Sequence, residues 1–552
     1  MKSFLTKNLL LISILVLAAF LRFFQLGQNP PGLSVDEVSN GYNAYSILKT
    51  ARDEYGNFLP LTFRSFGDYN LPLSVYTLVP SIAIFGLTEF AVRFPSALFG
   101  TLAVLLTYIL AKKLFEESQN GWQLWKGPRQ RADSVHGQEK LESKIKSSTD
   151  GPPKASLAFS RRETIDRTRS KLIALLSAFF LAISPWHLQF SRYDHEANFM
   201  VFFIVLGLTT FLYGLKNFSL LAASAVFFGL AVNTYHGAKI WVPLFLIVIL
   251  FWYRKEIIKF KIKLIWLSLI LIVFSLPIIL NLQKSLIRGQ SVGVLGQPNP
   301  LETFITGYLA HYSPNFLFIS GDSIGRHSVP GMGQLYVFEA PLVILGILYL
   351  IAQKTKSPKF LLAWLVIAAI PAAAATPTPH ALRGLTFIPV WSIITACGVT
   401  ALLEAKFKAN LKKGIAFILV VVAFYNIVTY FHLYYKHYPK EKAPDWSQGY
   451  KEMVEAVDEI KDNYGSIAIT SYFGHPYIFT LFYSRYDPLK YHSQSEDKNK
   501  FAKFEFFSSS WEQTKPGKAL VITPPWQAHP PKVLKEIYAI NGDLKFTISE
   551  TE

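Results

Sequence analysis

Carboxylates gather at three places in a chain that is otherwise poor in charge. Asp36 and Glu37 stand about ten residues beyond the first apolar run, Asp68 precedes a Leu-Pro-Leu, and Asp194-His195-Glu196 follows a Ser-Pro-Trp-His turn. Ionisable side chains beside a bilayer are costly enough that their placement is informative. Cations accompany the acids: Arg22, Arg192, the turn Tyr235-His236-Gly237-Ala238-Lys239, Lys284, Arg288 and the turn Pro379-His380-Ala381-Leu382-Arg383. Such a concentration on the membrane face where Lys and Arg are normally sparse points to a bound anion, phosphate first among them. Arg192, His236, Lys239, His380 and Arg383 are the candidates for holding it. His187 and His311 read as packed or hydrogen-bonded loop histidines. Acids and cations facing a bilayer fit group transfer from a lipid phosphate. The leaving group of such a displacement is already an anion, so no general acid is required, unlike glycoside hydrolysis with its two carboxylates. One carboxylate accepts the proton of an acceptor hydroxyl, while Arg, Lys or a metal ion stabilises charge growing on the phosphate.

The scaffold must be a membrane one. Of 552 residues 51% are hydrophobic and only 17% charged, against roughly 25% charged in soluble domains, which excludes an ordinary soluble enzyme. The net charge of +18 lies in short clusters between apolar runs rather than along one polar face, so nucleic acid is not a partner. A single cysteine, Cys397, inside an apolar run excludes a disulfide framework and a cysteine zinc site.

About eleven runs have the length and apolarity of a spanning helix: near 9–26, 91–110, 172–184, 199–215, 220–232, 240–253, 264–282, 335–351, 361–375, 385–403 and 415–433. The stretch 73–87, interrupted by Pro80 and preceded by Pro72, reads as an interfacial or re-entrant helix. With eleven spans and a cytoplasmic N-terminus, Lys112, Lys113, Lys216 and the clusters at 254–263, 354–359 and 406–413 all fall on the cytoplasmic side, as the positive-inside rule asks. The C-terminus is then external. The first run lacks a small-x-small cleavage pattern and reads as an uncleaved helix.

The organisation predicted is an α-helical polytopic membrane protein in the cell membrane. Residues 1–117 hold the first helices and an external loop with the acids, 118–171 a polar, basic, disordered cytoplasmic insert, and 172–434 the remaining helices. Residues 439–552 form a small external α/β domain, with a helix at 449–460 and strands at 466–470 and 519–523. Eleven spans would also suit a transporter or flippase. Transporters tend to show broken helices at mid-membrane and internal symmetry; neither is visible, and the acids stand at the ends of runs.

Several segments together carry a resemblance. Ser34-Val35-Asp36-Glu37, the run from Phe90-Ala91-Val92-Arg93 through Phe99-Gly100, and Ser184-Pro185-Trp186-His187 resemble bacterial members of the dolichyl-phosphate-mannose protein mannosyltransferase family. So do Phe316-Leu317-Phe318, Gly321-Asp322, Arg326-His327-Ser328, Gly333-Gln334-Leu335-Tyr336 and His380-Ala381-Leu382-Arg383. The resemblance reaches to about residue 435 and omits the insert. It implies the GT-C glycosyltransferase fold, a polyprenyl-phosphate sugar donor, a hydroxyl acceptor on protein, lipid or cell-envelope glycan, and inversion at the anomeric carbon. It places the catalytic base on Asp36 and a supporting or metal-proximal role on Glu37. Asp194 and Glu196 occupy the region where related oligosaccharyltransferases hold a metal. No cofactor is fixed by this, and a divalent metal is left open. Related lipid A aminoarabinose transferases carry an acidic residue and Lys directly before a Pro; here Asn70-Leu71-Pro72 stands instead, a departure at Asp68.

Overall fold

The computed structural model describes residues 2–124, 154–280, 293–353, 355–494, 500–508, 511 and 518–551. Over most of their described residues the eleven apolar runs fall on helices. In hydrocarbon no water can satisfy a backbone N–H or C=O, so an apolar run closes its own hydrogen bonds as a helix. In chain order the larger helices are α1 (Lys2–Phe23), α2 (Val35–Thr50), α3 (Pro72–Phe85), α4 (Glu89–Leu124), α5 (Lys154–Ile183), α6 (Pro185–Ser191), α7 (Glu196–Gly214), α8 (Phe218–Val232) and α9 (Ala238–Ile257). They continue with α10 (Leu264–Leu280), α11 (Pro300–Ala310), α12 (Glu339–Ala352), α13 (Lys356–Ala373), α14 (Phe387–Glu404) and α15 (Ala409–His432). Among the described residues five helices have the length and apolarity to cross a bilayer, or six if α5 and α6, bent by 58° at Ser184-Pro185, count as one crossing. The other apolar runs form shorter helices or ones broken by charge and proline.

Helix α3 has 14 residues, about 21 Å at 1.5 Å per residue, short of the roughly 30 Å hydrocarbon core. The insert is not wholly irregular. Helix α4 continues to Leu124 and α5 begins at Lys154, because the Lys, Arg and Glu residues beyond each apolar run are themselves good helix formers. Residues 125–153 lie outside the described residues.

Helices α12 and α14 pack through two reciprocal glycines. A Cβ on Gly346 would lie 2.0 Å from the Ile394 carbonyl oxygen, and one on Gly398 would lie 1.9 Å from that of Leu342. Small residues let two backbones approach where lipid gives no hydrophobic drive to associate. Helix α15 shows the opposite surface: Phe417, Ile418, Val420 and Phe424 are exposed, an apolar face suited to hydrocarbon.

The first loop holds a small antiparallel hairpin of β1 (Phe63–Ser65) and β2 (Asp68–Asn70), and the C-terminal part contains a six-stranded sheet of β3 (Ser466–Thr470), β4 (Lys500–Phe501), β5 (Phe504–Phe507), β6 (Ala519–Thr523), β7 (Lys532–Tyr538) and β8 (Leu544–Glu550), in the order β4-β5-β3-β6-β8-β7. Strand β3 runs parallel to β5 and β6; the remaining pairs are antiparallel. Helices α16 (Tyr450–Ile460) and α17 (Pro476–Tyr483) flank it. This region shares one hydrophobic core with the first loop: Leu33, Val38 and Tyr42 of the loop pack with Tyr450, Met453, Phe479, Phe482 and Phe546. Gly41 permits the contact, since a Cβ there would lie 2.7 Å from the Phe482 ring.

Candidate active site

Helix α2 begins with a capping box. The Ser34 hydroxyl accepts from the Glu37 N–H at 3.3 Å, and Glu37 Oε2 accepts from the Ser34 N–H at 2.9 Å, an arrangement that satisfies two otherwise unpaired donors. Glu37 is completely buried. Its Oε1 accepts from Arg93 Nε at 2.9 Å and from the Asp194 N–H at 3.2 Å. Arg93 in turn donates to the carbonyls of Leu26 at 3.1 Å, Pro30 at 2.9 Å and Gly32. Glu37 therefore ties α2, α4 and the Asp194 loop together. Both Glu37 oxygens are thus engaged in the frame, and the side chain is wholly buried, a placement suited to a supporting residue.

Asp36, one residue earlier, has the opposite surroundings. It is only partly buried and makes no hydrogen bond among the described residues. Burial pushes its carboxyl above the usual range; His195 and Arg326 pull it back, while Glu196 and Glu37 push further. A carboxylate raised in this way is a better proton acceptor.

Asp194 is 1% exposed. Its Oδ2 accepts from Asn40 at 2.9 Å, and Asn40 Oδ1 accepts from Asn70 at 3.3 Å, so Asn70 of the first-loop hairpin acts on Asp194 through Asn40. Asp194 Oδ1 has no hydrogen-bond partner among the described residues. Burial drives this carboxyl well up, opposed by the Asn40 hydrogen bond and reinforced by Glu37, Glu196 and Asp36. Glu196 opens α7 beside His195, whose Nδ1 accepts from the Ala197 N–H at 3.2 Å and lies 3.3 Å from Glu196 Oε2. An orphaned carboxylate oxygen beside a second acid fits a cation at Asp194 and Glu196, since an unpaired buried acceptor is costly without one. Asp68 pairs through its backbone with Ser65.

The cations divide into two kinds. Arg192 is buried, and all five of its N–H groups are used: Nε to Tyr434 Oη at 2.9 Å, Nη1 to the carbonyls of Leu21 and Arg22 at 2.7 and 3.2 Å, Nη2 to those of Phe24 and Asn29 at 2.7 and 3.0 Å. Arg192, expected at the donor phosphate, has each of its N–H groups engaged within the protein. It caps the C-terminal end of α1, where carbonyls lack intrahelical partners and a cation is favoured. Arg22 does the same for α5, donating to Leu181 at 3.2 Å and Ala182 at 3.1 Å and approaching His187 Nδ1 at 2.7 Å.

Other cations, Lys239, Arg326 and Arg383, are only partly buried. Lys239 Nζ lies 3.1 Å from His236 Nδ1, on the turn where the Tyr235 ring sits 5.9 Å from that of His195. Arg383 is partly exposed and donates from Nη1 to the Pro377 carbonyl at 3.2 Å. Arg326, partly exposed and donating to the Asp445 carbonyl at 3.4 Å, acts electrostatically on Asp36 and on the Tyr193 hydroxyl. Arg326 escapes a reading based on acids and turns, although an Arg-His pair following Gly-Asp outside any cytoplasmic cluster could have drawn notice. His380 is buried, with its ring 4.8 Å from that of His327; its backbone N–H donates to His311 Nε2 at 3.0 Å. His187 and His311 are both buried and bonded. Lys284 and Arg288 lie outside the described residues.

No protein-family model matches the sequence, and no curated protein does. Solved structures share the architecture. ArnT from Cupriavidus metallidurans, in a crystal structure bound to undecaprenyl phosphate, aligns with a TM-score of 0.56 at 12% identity, covering 98% of this chain and 98% of that one. The chain has the GT-C fold. The archaeal oligosaccharyltransferase AglB from Archaeoglobus fulgidus, solved with an inhibitory peptide and a dolichol-phosphate, aligns at 14% identity and a TM-score of 0.48 over 87% of this chain. The chain spans 64% of that protein's length. The Pmt1-Pmt2 protein O-mannosyltransferase complex of S. cerevisiae, bound to its sugar donor, aligns with 52% of this chain at a TM-score of 0.30 and 17% identity. At these identities the likeness is one of fold.

Proposed function

We propose that this GT-C chain is an inverting membrane glycosyltransferase that moves a sugar from a polyprenyl-phosphate donor to a hydroxyl on the external face. The observation that carries the reading is Asp36: beside a fully engaged Glu37 and a buried Asp194, it is the acid left partly open and without a hydrogen bond among the described residues. Asp36 accepts the acceptor proton as the hydroxyl oxygen bonds to the anomeric carbon. The bond from that carbon to the phosphate oxygen breaks with its electron pair on phosphate. Arg326, Arg383, Lys239 and His236 face the growing charge, an electrostatic role worth most in a site shielded from water. Asp194 and Glu196 would hold a divalent cation where one binds, adding positive charge near the leaving phosphate. Eleven crossings, a cytoplasmic N-terminus and an external C-terminal sheet complete the proposal, supported by the placement of the basic clusters.

Purified protein reconstituted with polyprenyl-phosphate monosaccharides and a hydroxyl acceptor tests this. Glycosylated acceptor and free polyprenyl phosphate should appear together in equal amounts. Movement of the intact sugar lipid between leaflets without its cleavage would instead establish a flippase.

A further inference from the structure

Three buried side chains meet outside the acid cluster. Asp322 and His327 come from the segment before α12, and His380 from the turn before α14. Their ligand-capable atoms all lie within 4.8 Å of one another, the one such group of three among the described residues. We propose that Asp322, His327 and His380 bind a divalent transition-metal ion.

The local geometry is that of a held ligand set. Asp322 Oδ2 lies 2.8 Å from His327 Nδ1 and accepts from the Ala381 N–H at 2.6 Å, while Oδ1 accepts from the Ile324 N–H at 2.9 Å. The Ser328 hydroxyl accepts from the Asp322 N–H at 2.7 Å and from Gln334 Nε2 at 2.6 Å. His311 donates from Nδ1 to the Gly307 carbonyl at 2.7 Å, which leaves its Nε2 to accept from the His380 N–H at 3.0 Å. The backbone that carries His380 is thereby fixed from behind, as the surroundings of metal-ligating imidazoles usually are. Asp322 Oδ2 and His327 Nδ1, 2.8 Å apart, face one another as two ligand atoms on one ion would, and Nε2 of His380 makes no hydrogen bond among the described residues. Two imidazoles and one carboxylate suit Zn²⁺, Mn²⁺, Fe²⁺ or Co²⁺ better than Mg²⁺ or Ca²⁺, which favour all-oxygen shells.

Two cations flank the group. Arg326 and Arg383 act electrostatically on His327, and Arg383 acts on His380 as well. Their repulsion selects against weakly held cations and leaves an ion bound strongly by imidazole. It also favours an anion in the coordination position that three protein ligands leave open. Arg326 also acts electrostatically on Asp36, which links this group to the acid cluster. His380 then reaches a phosphate through the ion rather than directly.

Metal loading measures this without reference to sugar transfer. Full-length protein in detergent is stripped with a chelator, dialysed against Co²⁺ or Zn²⁺, and assayed for bound metal by elemental analysis and for Co²⁺ d–d absorption. In an Asp194→Asn background, which removes the orphaned oxygen of the acid cluster, one equivalent with Co²⁺ d–d absorption is expected, and its affinity should fall at least tenfold when His327→Gln or His380→Gln is added. The Gln variants preserve most of the volume, and monodispersity with an unchanged apo melting temperature certifies that they fold. Wild-type loading equal to that of a folded His380→Gln variant would overturn the proposal. Loss of the equivalent in Asp194→Asn alone would overturn it as well, by moving the ion to the acid cluster.

Discussion

Glu37 Oε1 and Arg93 Nε lie 2.9 Å apart with both side chains wholly buried. Their pairing separates two adjacent carboxylates, because it consumes Glu37 in the frame and leaves Asp36 partly exposed beside it.

Asp36→Asn should fold normally and lose about 10² to 10⁴ in turnover, the usual worth of a positioned base. Glu37→Gln should behave differently. Removing one partner of a buried ion pair costs about 3–5 kcal/mol, so this variant should show a low folded yield and a depressed melting temperature. Turnover normalised to monodisperse protein distinguishes them, and normal turnover in Asp36→Asn would displace the base from that residue.

Because burial holds Asp36 above the usual carboxylate range, the acid limb of kcat/KM should lie above pH 4, near which an unperturbed Asp titrates. Protonated Asp36 cannot accept a proton, so activity falls as pH drops through this raised value. A pH–rate profile checks it, and the limb should vanish from the residual activity of Asp36→Asn.

Asp194 gives a stability counterpart. Its folded carboxyl is held well up by burial, so in metal-free protein the ionised form opposes folding above the unfolded value of about 4. Stability should therefore rise as pH falls through the raised folded value, and flatten below the unfolded one. Asp194→Asn should remove this dependence in thermal melts of chelator-treated protein.

Arg383→Ala and Arg326→Gln should raise the donor KM several-fold while the protein remains folded. Arg192→Gln should do the reverse, lowering thermal stability through loss of its carbonyl partners at the end of α1, with donor affinity per folded molecule unchanged. Binding of a polyprenyl phosphate measured beside the melting temperature sorts the three.

Gly398→Ala would place a methyl 1.9 Å from the Leu342 carbonyl oxygen. Overpacking of this kind costs about 1–3 kcal/mol. A lowered melting temperature is expected, relieved little by changing side chains, since the obstruction is backbone.

Removing residues 439–552 should abolish folded protein rather than merely change acceptor use. Met453, Phe479 and Phe482 complete the core on which Val38 and Tyr42 of α2 rest, so the truncation would strip the helix that carries Asp36. Recovery of a monodisperse truncated protein with intact donor binding would refute this.

The sequence by itself determined what local rules govern. Eleven apolar runs became helices because a backbone without water must bond within its own segment. Strands at Ser466–Thr470 and Ala519–Thr523 followed from short β-branched patterns bounded by turn residues. The two carboxylates at the start of α2 were visible too, as was the Ser34 that caps them. Which carboxylate stayed open was decided only when α4 delivered Arg93 to Glu37. The same holds for Arg192 and Arg22, whose carbonyl partners belong to other helices, and for His380, joined to Asp322 and His327 by the packing of separate turns. Periodicity and composition report on neighbours along the chain; hydrogen-bond partners and burial depend on which distant elements meet, and that is fixed by tertiary packing.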